Sequence, residues 1–220
     1  MKKEQWLTPL NVVTAIIIAI LVISASVTAT LFDRSAYNRL QDELGLPEIA
    51  GLSEKELLEN YNALIDYNSV FFAKPLEFPT LPISESGRIH FEEVKAIFSV
   101  FQIALLVSAA LAAPCCFYLL KKRRYRFLTL GGILALAIPA LVICVIFVAG
   151  WDRFFVLFHE LFFDNEFWVF DARTDPVILI LPDEFFLNCL KRIVAAIVCS
   201  AALLIAGSIV FCRLRIKFRT

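Results

Sequence analysis

The sequence predicts an all-α membrane protein with four transmembrane helices. Of its 220 residues, 60% are hydrophobic and only 19% are charged, whereas about a quarter of the residues in an ordinary soluble domain are charged. Four segments carry no charge at all, and each is long enough to cross a bilayer, which takes roughly 20 residues of helix. The uncharged segments are 5–32, 96–120, 127–151 and 193–212. A soluble globular domain is therefore excluded.

The four spans are expected to form a single integral membrane domain over residues 1–220. They are predicted at about 8–32, 94–120, 127–150 and 192–212. The first span follows two lysines and ends in small residues, as a cleavable signal peptide does, but its uncharged stretch is long for one, so we favour an uncleaved helix. Pro114 and Pro139 lie inside the second and third spans, where we expect kinks and not breaks.

The charges between the spans predict the orientation of the chain. Eleven basic residues and one acidic residue flank the spans on one side, at Lys2 and Lys3, in the run 121–126 and in the tail 213–219. Segments 33–95 and 151–192 instead carry 20 acidic and 10 basic residues. Because cytoplasmic segments are rich in Lys and Arg, we expect both termini to be cytoplasmic. Loops 33–93 and 151–191 are then extracytoplasmic.

The first extracytoplasmic loop contains one predicted helix. Ser53 and Glu56 have the spacing of a capping box, and apolar residues follow at helical intervals, which predicts an amphipathic helix over about 53–68. Three prolines then prevent helix across 72–84, where we expect an extended chain.

The second loop is rich in aromatic residues, with nine Phe or Trp residues between positions 151 and 170. On a helix, His159 would share a face with residues four before and three, four and seven after it, which are Phe155, Phe162, Phe163 and Glu166. Such a helix would lie at the outer bilayer interface, either as an anchor or as an entrance for acyl chains. Residues 174–182 are predicted to form a short buried strand or extended segment. The two loops are expected to fold together into an extracytoplasmic cap of amphipathic helices and short extended segments.

The chain has only two histidines, and the predicted topology places both, His90 and His159, on the outer side. A histidine with an unperturbed pKa of about 6.5 can both take and give a proton near neutral pH. His90 is expected near a helix N-terminus, where the helix dipole disfavours an added positive charge and would keep the imidazole neutral, as a general base must be. The alternative is that both histidines are structural or simply exposed.

Other chemistries fit the sequence less well. His159 and Glu160 begin like a zinc-protease motif, but Phe163 stands where the second histidine would be, so no metal site is expected. No glycine-rich phosphate loop or nucleophile elbow is present. The uncharged spans argue against an ion pathway, and a formal net charge of zero argues against nucleic acid as a partner.

Several stretches of the chain resemble a known family, the bacterial lipoprotein intramolecular transacylases, which are four-span integral membrane proteins. The similar stretches are HFEEVK at 90–95, FHELFFDNEFW at 158–168, TDP at 174–176 and LPDEFF at 181–186. The second loop carries the specific match, whereas His90 is supported more by its position than by its short motif.

The resemblance implies an enzyme that acts in the outer leaflet on diacylglyceryl-modified lipoproteins. In that family one acyl chain moves from the glycerol sn-2 ester to the α-amino group of the N-terminal cysteine, which leaves a lyso-form lipoprotein. By this resemblance His90 and His159 would be the catalytic residues, and no cofactor is implied. The chain would be a multi-pass protein of the bacterial cytoplasmic membrane with an extracytoplasmic active site, and its partners would be the lipoprotein substrate and membrane lipid.

The chemistry of this transfer suits two imidazoles, because one can take the amine proton while the other supports the oxyanion or protonates the departing glycerol oxygen. We hypothesise that His159 handles the amine proton and His90 the oxygen, although the roles could be swapped. Further candidates for oxyanion or headgroup contacts, with surface or cap structure as the alternative, are Arg88, Arg153 and Asn165. Trp168 is expected to pack the cap. Two alternative functions remain open, a non-enzymatic scaffold that binds a partner protein and a lipid-ester hydrolase.

Overall fold

The computed structural model describes residues 8–217 of the chain, with side chains from residue 8 to residue 213. Within this part of the chain every regular element is an α-helix and none is a strand, which confirms the all-α prediction. The helices are α1 (Pro9–Phe32), α2 (Arg34–Leu44), α3 (Leu46–Ala50), α4 (Glu54–Tyr67), α5 (Glu85–Lys121), α6 (Arg126–Ala135), α7 (Ala137–Ala149), α8 (Trp151–Phe162), α9 (Val177–Ile180) and α10 (Asp183–Lys217).

Four helical stretches of the described chain are long and apolar enough to cross a membrane, as the sequence predicts. They are Pro9–Phe32, Glu85–Lys121, Arg126–Ala149 and Asp183–Arg213. Helices α5 and α10 begin well before the predicted spans 94–120 and 192–212, so each carries several turns of helix ahead of its uncharged segment. The limits of the spans within these helices stay predictions. Several charges used for the orientation lie outside the described side chains, namely Lys2, Lys3, Arg215, Lys217 and Arg219.

The two prolines inside the spans behave differently. Helix α5 continues through Pro114, as expected. The third stretch has a one-residue interruption at Leu136, between α6 and α7, and helix resumes at Ala137, which fits the expectation of a kink and not a break at Pro139. The physical reason is that Pro139 has no N–H to donate to the carbonyl four residues earlier, at Ala135, and its ring clashes with that carbonyl.

The described chain divides into two compact units, and residues 8–27, 102–144 and 192–217 form the first, which we call the bundle unit. Its helices meet at small residues. A Cβ atom added to Gly131 would lie 2.9 Å from the Ile18 side chain, and one added to Gly132 would lie 3.0 Å from the carbonyl oxygen of Ala201. Glycine therefore allows the close approach of α6 to α1 and α10, as small residues do between membrane helices.

The second unit comprises residues 28–101 and 145–191, and we call it the loop unit. The rings of Tyr37 and Tyr61 stack at its centre with centroids 3.6 Å apart, and Phe185 packs edge-on against both. The buried Tyr37 hydroxyl donates a 2.7 Å hydrogen bond to the carbonyl oxygen of Ile180. Residues of both predicted loops thus share one apolar core, while the position of this unit over the membrane stays a prediction.

The first predicted loop contains the expected helix, α4, and also α2 and α3, which the sequence did not predict. The side chain of Ser53 accepts a hydrogen bond from the backbone N–H of Glu56, whose carboxylate accepts one from the Ser53 N–H, and this capping box starts α4. The helix ends at Tyr67, and residues 72–84 contain no helix, as their prolines predict.

The second predicted loop departs from expectation at two places. Residues 177–180 form the short helix α9 and not a strand, because a short apolar run between prolines has the same pattern in either structure. Burial was predicted correctly, since Val177 and Ile180 are 0% exposed. The aromatic helix α8 ends at Phe162 and the chain turns extended at Phe163, so Glu166 does not share a helical face with His159.

Candidate active site

The N-terminus of α5 is held in place one turn before His90. The Ser84 hydroxyl accepts a 3.0 Å hydrogen bond from the Gly87 N–H, while the Ser84 N–H donates to the Asp175 carboxylate at 2.8 Å. A Cβ atom on Gly87 would lie only 2.4 Å from an Asp175 carboxylate oxygen, so a side chain there would displace that carboxylate. Glycine at this position therefore lets the TDP turn pack directly against the start of α5.

His90 lies in an aromatic box and is only 5% exposed. Its ring centroid is 4.7 Å from that of Phe163, 5.5 Å from that of Phe170 and 5.7 Å from that of Phe91. The Nδ1 atom is buried and has no hydrogen-bond partner among the described residues. Burial, together with the nearby His159 ring, lowers the pKa of His90 from 6.5 to about 4. The imidazole is thus neutral, as expected, but burial and not the helix dipole is the main cause.

His159 lies on α8 with its tautomer fixed. Its Nδ1 atom is 2.7 Å from the carbonyl oxygen of Phe155, and because a carbonyl can only accept, Nδ1 carries the proton. In the neutral ring Nε2 is then left with a free lone pair. Burial lowers the pKa of His159, although the hydrogen bond to Phe155 and the charge of Asp183 raise it in part. A neutral imidazole with an available Nε2 is suited to accept a proton.

Trp168 stacks on His159, with ring centroids 4.5 Å apart and planes inclined by 28°. Phe155 contacts the imidazole from its own helix, at 4.3 Å between centroids. The ring of His159 is thus held both by a hydrogen bond and by aromatic packing. Trp168 thus packs within the loop unit against His159, a partner that the sequence did not indicate because an irregular turn separates Trp168 from α8.

The two imidazoles lie together, with ring centroids 6.1 Å apart and planes inclined by 32°. We call these rings, with the aromatic side chains that contact them, the imidazole site. The two rings thus lie at one place, and that they act together stays a prediction. Two neutral imidazoles at this separation can serve one reacting group, since a neutral ring has one donor and one acceptor nitrogen and His159, whose donor is bound to Phe155, still offers its acceptor. Among the described side chains, no group of three or more His, Cys, Asp or Glu residues is placed to hold a metal ion.

The three further candidate residues have different surroundings. The Arg88 guanidinium donates to the carbonyl oxygen of Leu76 at 2.9 Å, and Arg153 is exposed on α8. The Asn165 amide donates a 2.8 Å hydrogen bond to the carboxylate of Glu93, which lies one turn after His90. Of the three, only Asn165 forms a hydrogen bond with a side chain in the turn of α5 that follows His90. Glu93 is three residues after His90 and therefore shares its helix face, but nothing in the sequence distinguishes it from the other acidic residues of α5.

Comparison with known proteins decides the family. A model of the family described as lipoprotein intramolecular transacylase Lit matches residues 12–186. The chain belongs to this family. A separate comparison with curated proteins found no match. As a lipoprotein intramolecular transacylase, the protein is an acyl-transferring enzyme, and the membership argues against the scaffold and the hydrolase.

Solved structures of the integral membrane transacylase Lit from Bacillus cereus are similar over nearly the whole chain. One is 33% identical, with a TM-score of 0.90, and the match covers 94% of this chain and 96% of that one. Two others, in which a histidine is replaced by arginine or by alanine, are 32% identical and have TM-scores of 0.85 and 0.86. These two matches cover 94% of this chain and 92% and 94% of the other chains. The fold and the multi-pass membrane architecture of the transacylase are thereby established.

Proposed function

We propose that this transacylase moves the sn-2 acyl chain of a diacylglyceryl lipoprotein to the α-amino group of its N-terminal cysteine. The product is a lyso-form lipoprotein with an N-acyl cap. The observation that carries the proposal is the pair of neutral imidazoles, His90 and His159, 6.1 Å apart in a largely aromatic site. Such a site suits a reaction that needs proton transfer and long acyl chains but no charged nucleophile from the protein.

The bond changes define what the two rings must do. The α-ammonium first loses one proton to solvent, because only the free amine attacks an ester. Its nitrogen then bonds to the carbonyl carbon, and the bond from this carbon to the glycerol oxygen breaks. The second nitrogen proton passes to the base and ends on the departing oxygen, so the reaction is balanced without a cofactor. Holding amine and ester in one molecule supplies the proximity.

The geometry favours His159 as the base. Its Nδ1 proton is committed to the Phe155 carbonyl, which leaves Nε2 as the acceptor. No described residue pairs with the buried Nδ1 of His90, and an oxygen of the substrate would supply that partner at the oxyanion or leaving-group stage. The alternative is the opposite assignment, with His90 as the base. It predicts that the pH dependence of the rate follows the protonation of His90 and not that of His159.

We place the reaction in the extracytoplasmic leaflet of the bacterial cytoplasmic membrane. The support is the distribution of charge along the sequence, with basic residues at the predicted cytoplasmic ends of the spans. Helix α8 also presents an apolar surface, since Leu161 is 77% and Phe162 is 53% exposed, as expected for a helix that lies among lipids. A Glu160→Cys variant should gain labelling by a membrane-impermeant thiol reagent in intact cells relative to the unmodified protein.

The deciding experiment compares His159→Gln with Glu160→Gln, a neighbouring exposed position on the same helix. Each variant is expressed with a reporter lipoprotein whose N-terminus is analysed by mass spectrometry. We expect the N-acyl lyso form from the unmodified enzyme and from Glu160→Gln, and only the diacylglyceryl form from His159→Gln. Continued formation of the lyso form by His159→Gln would contradict the catalytic role. Release of free fatty acid without N-acylation by the unmodified enzyme would indicate a hydrolase.

A further inference from the structure

Glu93 combines two features that the proposed reaction leaves unexplained. One carboxylate oxygen, Oε1, accepts the hydrogen bond from Asn165. The other, Oε2, is buried and has no hydrogen-bond partner among the described residues, and no other carboxylate with a described side chain shares this condition. A buried carboxylate is unfavourable unless a cation or hydrogen-bond donors pair with it. Glu93 therefore has an open position for a donor beside the imidazole site.

The cationic side chains nearest to it on α5 are committed elsewhere. Arg88 donates to the carbonyl oxygen of Leu76, and Lys95 donates to the carbonyl oxygen of Phe72 at 2.5 Å. Lys95 also lies over the ring of Tyr67, 4.3 Å from its centroid. Both residues therefore point their charges into the segment that follows α4. The missing partner of Glu93 is better supplied by a ligand.

The substrate of the proposed reaction brings a suitable cation, and this step rests on the proposed function. An α-amino group has a pKa of about 7.7 to 8.0, so it is largely an ammonium group near neutral pH. We propose that the carboxylate of Glu93, oriented by Asn165, binds the α-ammonium group of the N-terminal cysteine of the lipoprotein. Glu93 is then a substrate-binding residue: the bound ammonium group still loses its first proton to solvent, and the imidazole base takes the second.

This assignment also explains why the site combines two neutral imidazoles with one carboxylate. Two neutral imidazoles do not repel an incoming ammonium group, whereas a protonated one would. After the transfer the nitrogen is an uncharged amide, so the ion pair with Glu93 is lost as the reaction completes. The carboxylate thus binds the ammonium form of the substrate more tightly than the uncharged N-acyl product. This difference promotes release of the product.

Glu93→Gln tests the role of the charge, because glutamine keeps an Oε1 acceptor for Asn165 and removes only the carboxylate charge. Glu92→Gln is the matched control, since Glu92 is the adjacent residue, is exposed, and lines a different cleft with Tyr67 and Lys95. With a diacylglyceryl lipopeptide we expect Glu93→Gln to raise KM roughly tenfold or more, the range for a hydrogen bond to a charged group. Inhibition by the N-acetylated lipopeptide should be unchanged, and Glu92→Gln should match the unmodified enzyme.

A second measurement compares the binding of two lipopeptides that cannot react. A lipopeptide with an ether in place of the sn-2 ester cannot transfer its chain, and we expect the unmodified enzyme to bind its free-amine form at least about tenfold more tightly than its N-acetyl form. Equal affinity of the unmodified enzyme for the two forms would overturn the role of Glu93. So would a Glu93→Gln variant that loses the same amount of affinity for the free-amine form as for the N-acetyl form. Failure of the unmodified enzyme to make any N-acyl product would instead overturn the proposed function, so the two failures are distinguishable.

Discussion

Two regions of the loop unit treat their buried polar groups in opposite ways. The first, which we call the scaffold region, is α4 with the segment 75–84 that packs on it. Its fully buried Asn60 donates to the carbonyl oxygen of Glu56 and to the hydroxyl of Thr80, and accepts from the N–H groups of Thr80 and Leu81. The second is the imidazole site with Glu93, where His90 Nδ1 and Glu93 Oε2 are buried without partners among the described residues.

The difference separates structural from functional polar groups. The carboxamide of Asn60 has all its hydrogen bonds within the protein, so it fixes the path of an otherwise irregular segment. Each unsatisfied buried group of the imidazole site costs about 1 to 3 kcal/mol of stability, which a bound substrate would recover. Of these two regions, only the imidazole site with Glu93 leaves buried polar groups open to a ligand, as the proposed binding of substrate requires.

The largest expected effect comes from His90→Phe, which fits an aromatic box of Phe91, Phe163 and Phe170. The rate of acyl transfer should fall by about 10² to 10⁴, the usual contribution of an acid or base. The free energy of unfolding should stay level or rise by about 1 kcal/mol, because an unsatisfied nitrogen is removed. Initial rates and thermal unfolding in detergent measure the two quantities. A clear loss of stability would instead show that His90, like Asn60, has a structural role.

The pH dependence of stability gives the next largest effect. The pKa of His90 is about 4 in the folded protein and 6.5 in the unfolded chain, so between these values only the unfolded state takes up the proton. Stability therefore falls as the pH drops from 6.5 to 4, and the contribution of His90 is about 3 kcal/mol. Unfolding measured across this range should be less pH-dependent in His90→Phe. Parallel curves for the two proteins would contradict the burial of an uncharged imidazole.

In the scaffold region, Asn60→Ala should lower the free energy of unfolding by about 2 kcal/mol, because it leaves the N–H groups of Thr80 and Leu81 without their acceptor. The rate per folded molecule should not change. Chemical unfolding and a rate normalised to folded protein test this pair of outcomes. Loss of the normalised rate with unchanged stability would reverse the assignment of the two regions.

The ease of prediction from sequence also differs between the two regions. The capping box of Ser53 and Glu56 depends on four consecutive residues, so its helix could be placed from the sequence alone. The shared location of His90 and His159 followed from the predicted topology, but their separation depends on packing between α5 and α8. The contact of Trp168 with His159 and the position of Glu93 near His90 were not predicted, for different reasons. Trp168 reaches His159 only through an irregular turn, whereas Glu93 shares a face of α5 with His90 but shows no special pattern.

Two details of the backbone did not follow from the sequence, for local reasons. The segment of α9 was predicted as a strand or an extended segment because four apolar residues fit either structure, whereas Pro176 has the helical backbone angles φ −63° and ψ −4° that start a turn. The kink near Pro139 was expected, but its position at Leu136 was not, because the general rule for proline in membrane helices does not say which residue leaves the helix. In both cases the sequence predicted an apolar segment correctly but not its backbone angles.

The smallest effect sharpens the comparison most selectively. Ser53→Ala removes the hydroxyl that accepts the N–H of Glu56, and loss of such a cap costs about 1 kcal/mol. Because α4 has no side chain among those that contact either imidazole, KM and the maximal rate should both be unchanged, and only the unfolding midpoint should fall. Ser53→Asp keeps an acceptor at the cap and should restore most of the loss. A change in KM without a change in the midpoint would mean that the scaffold region also meets the substrate, and the division between the two regions would not hold.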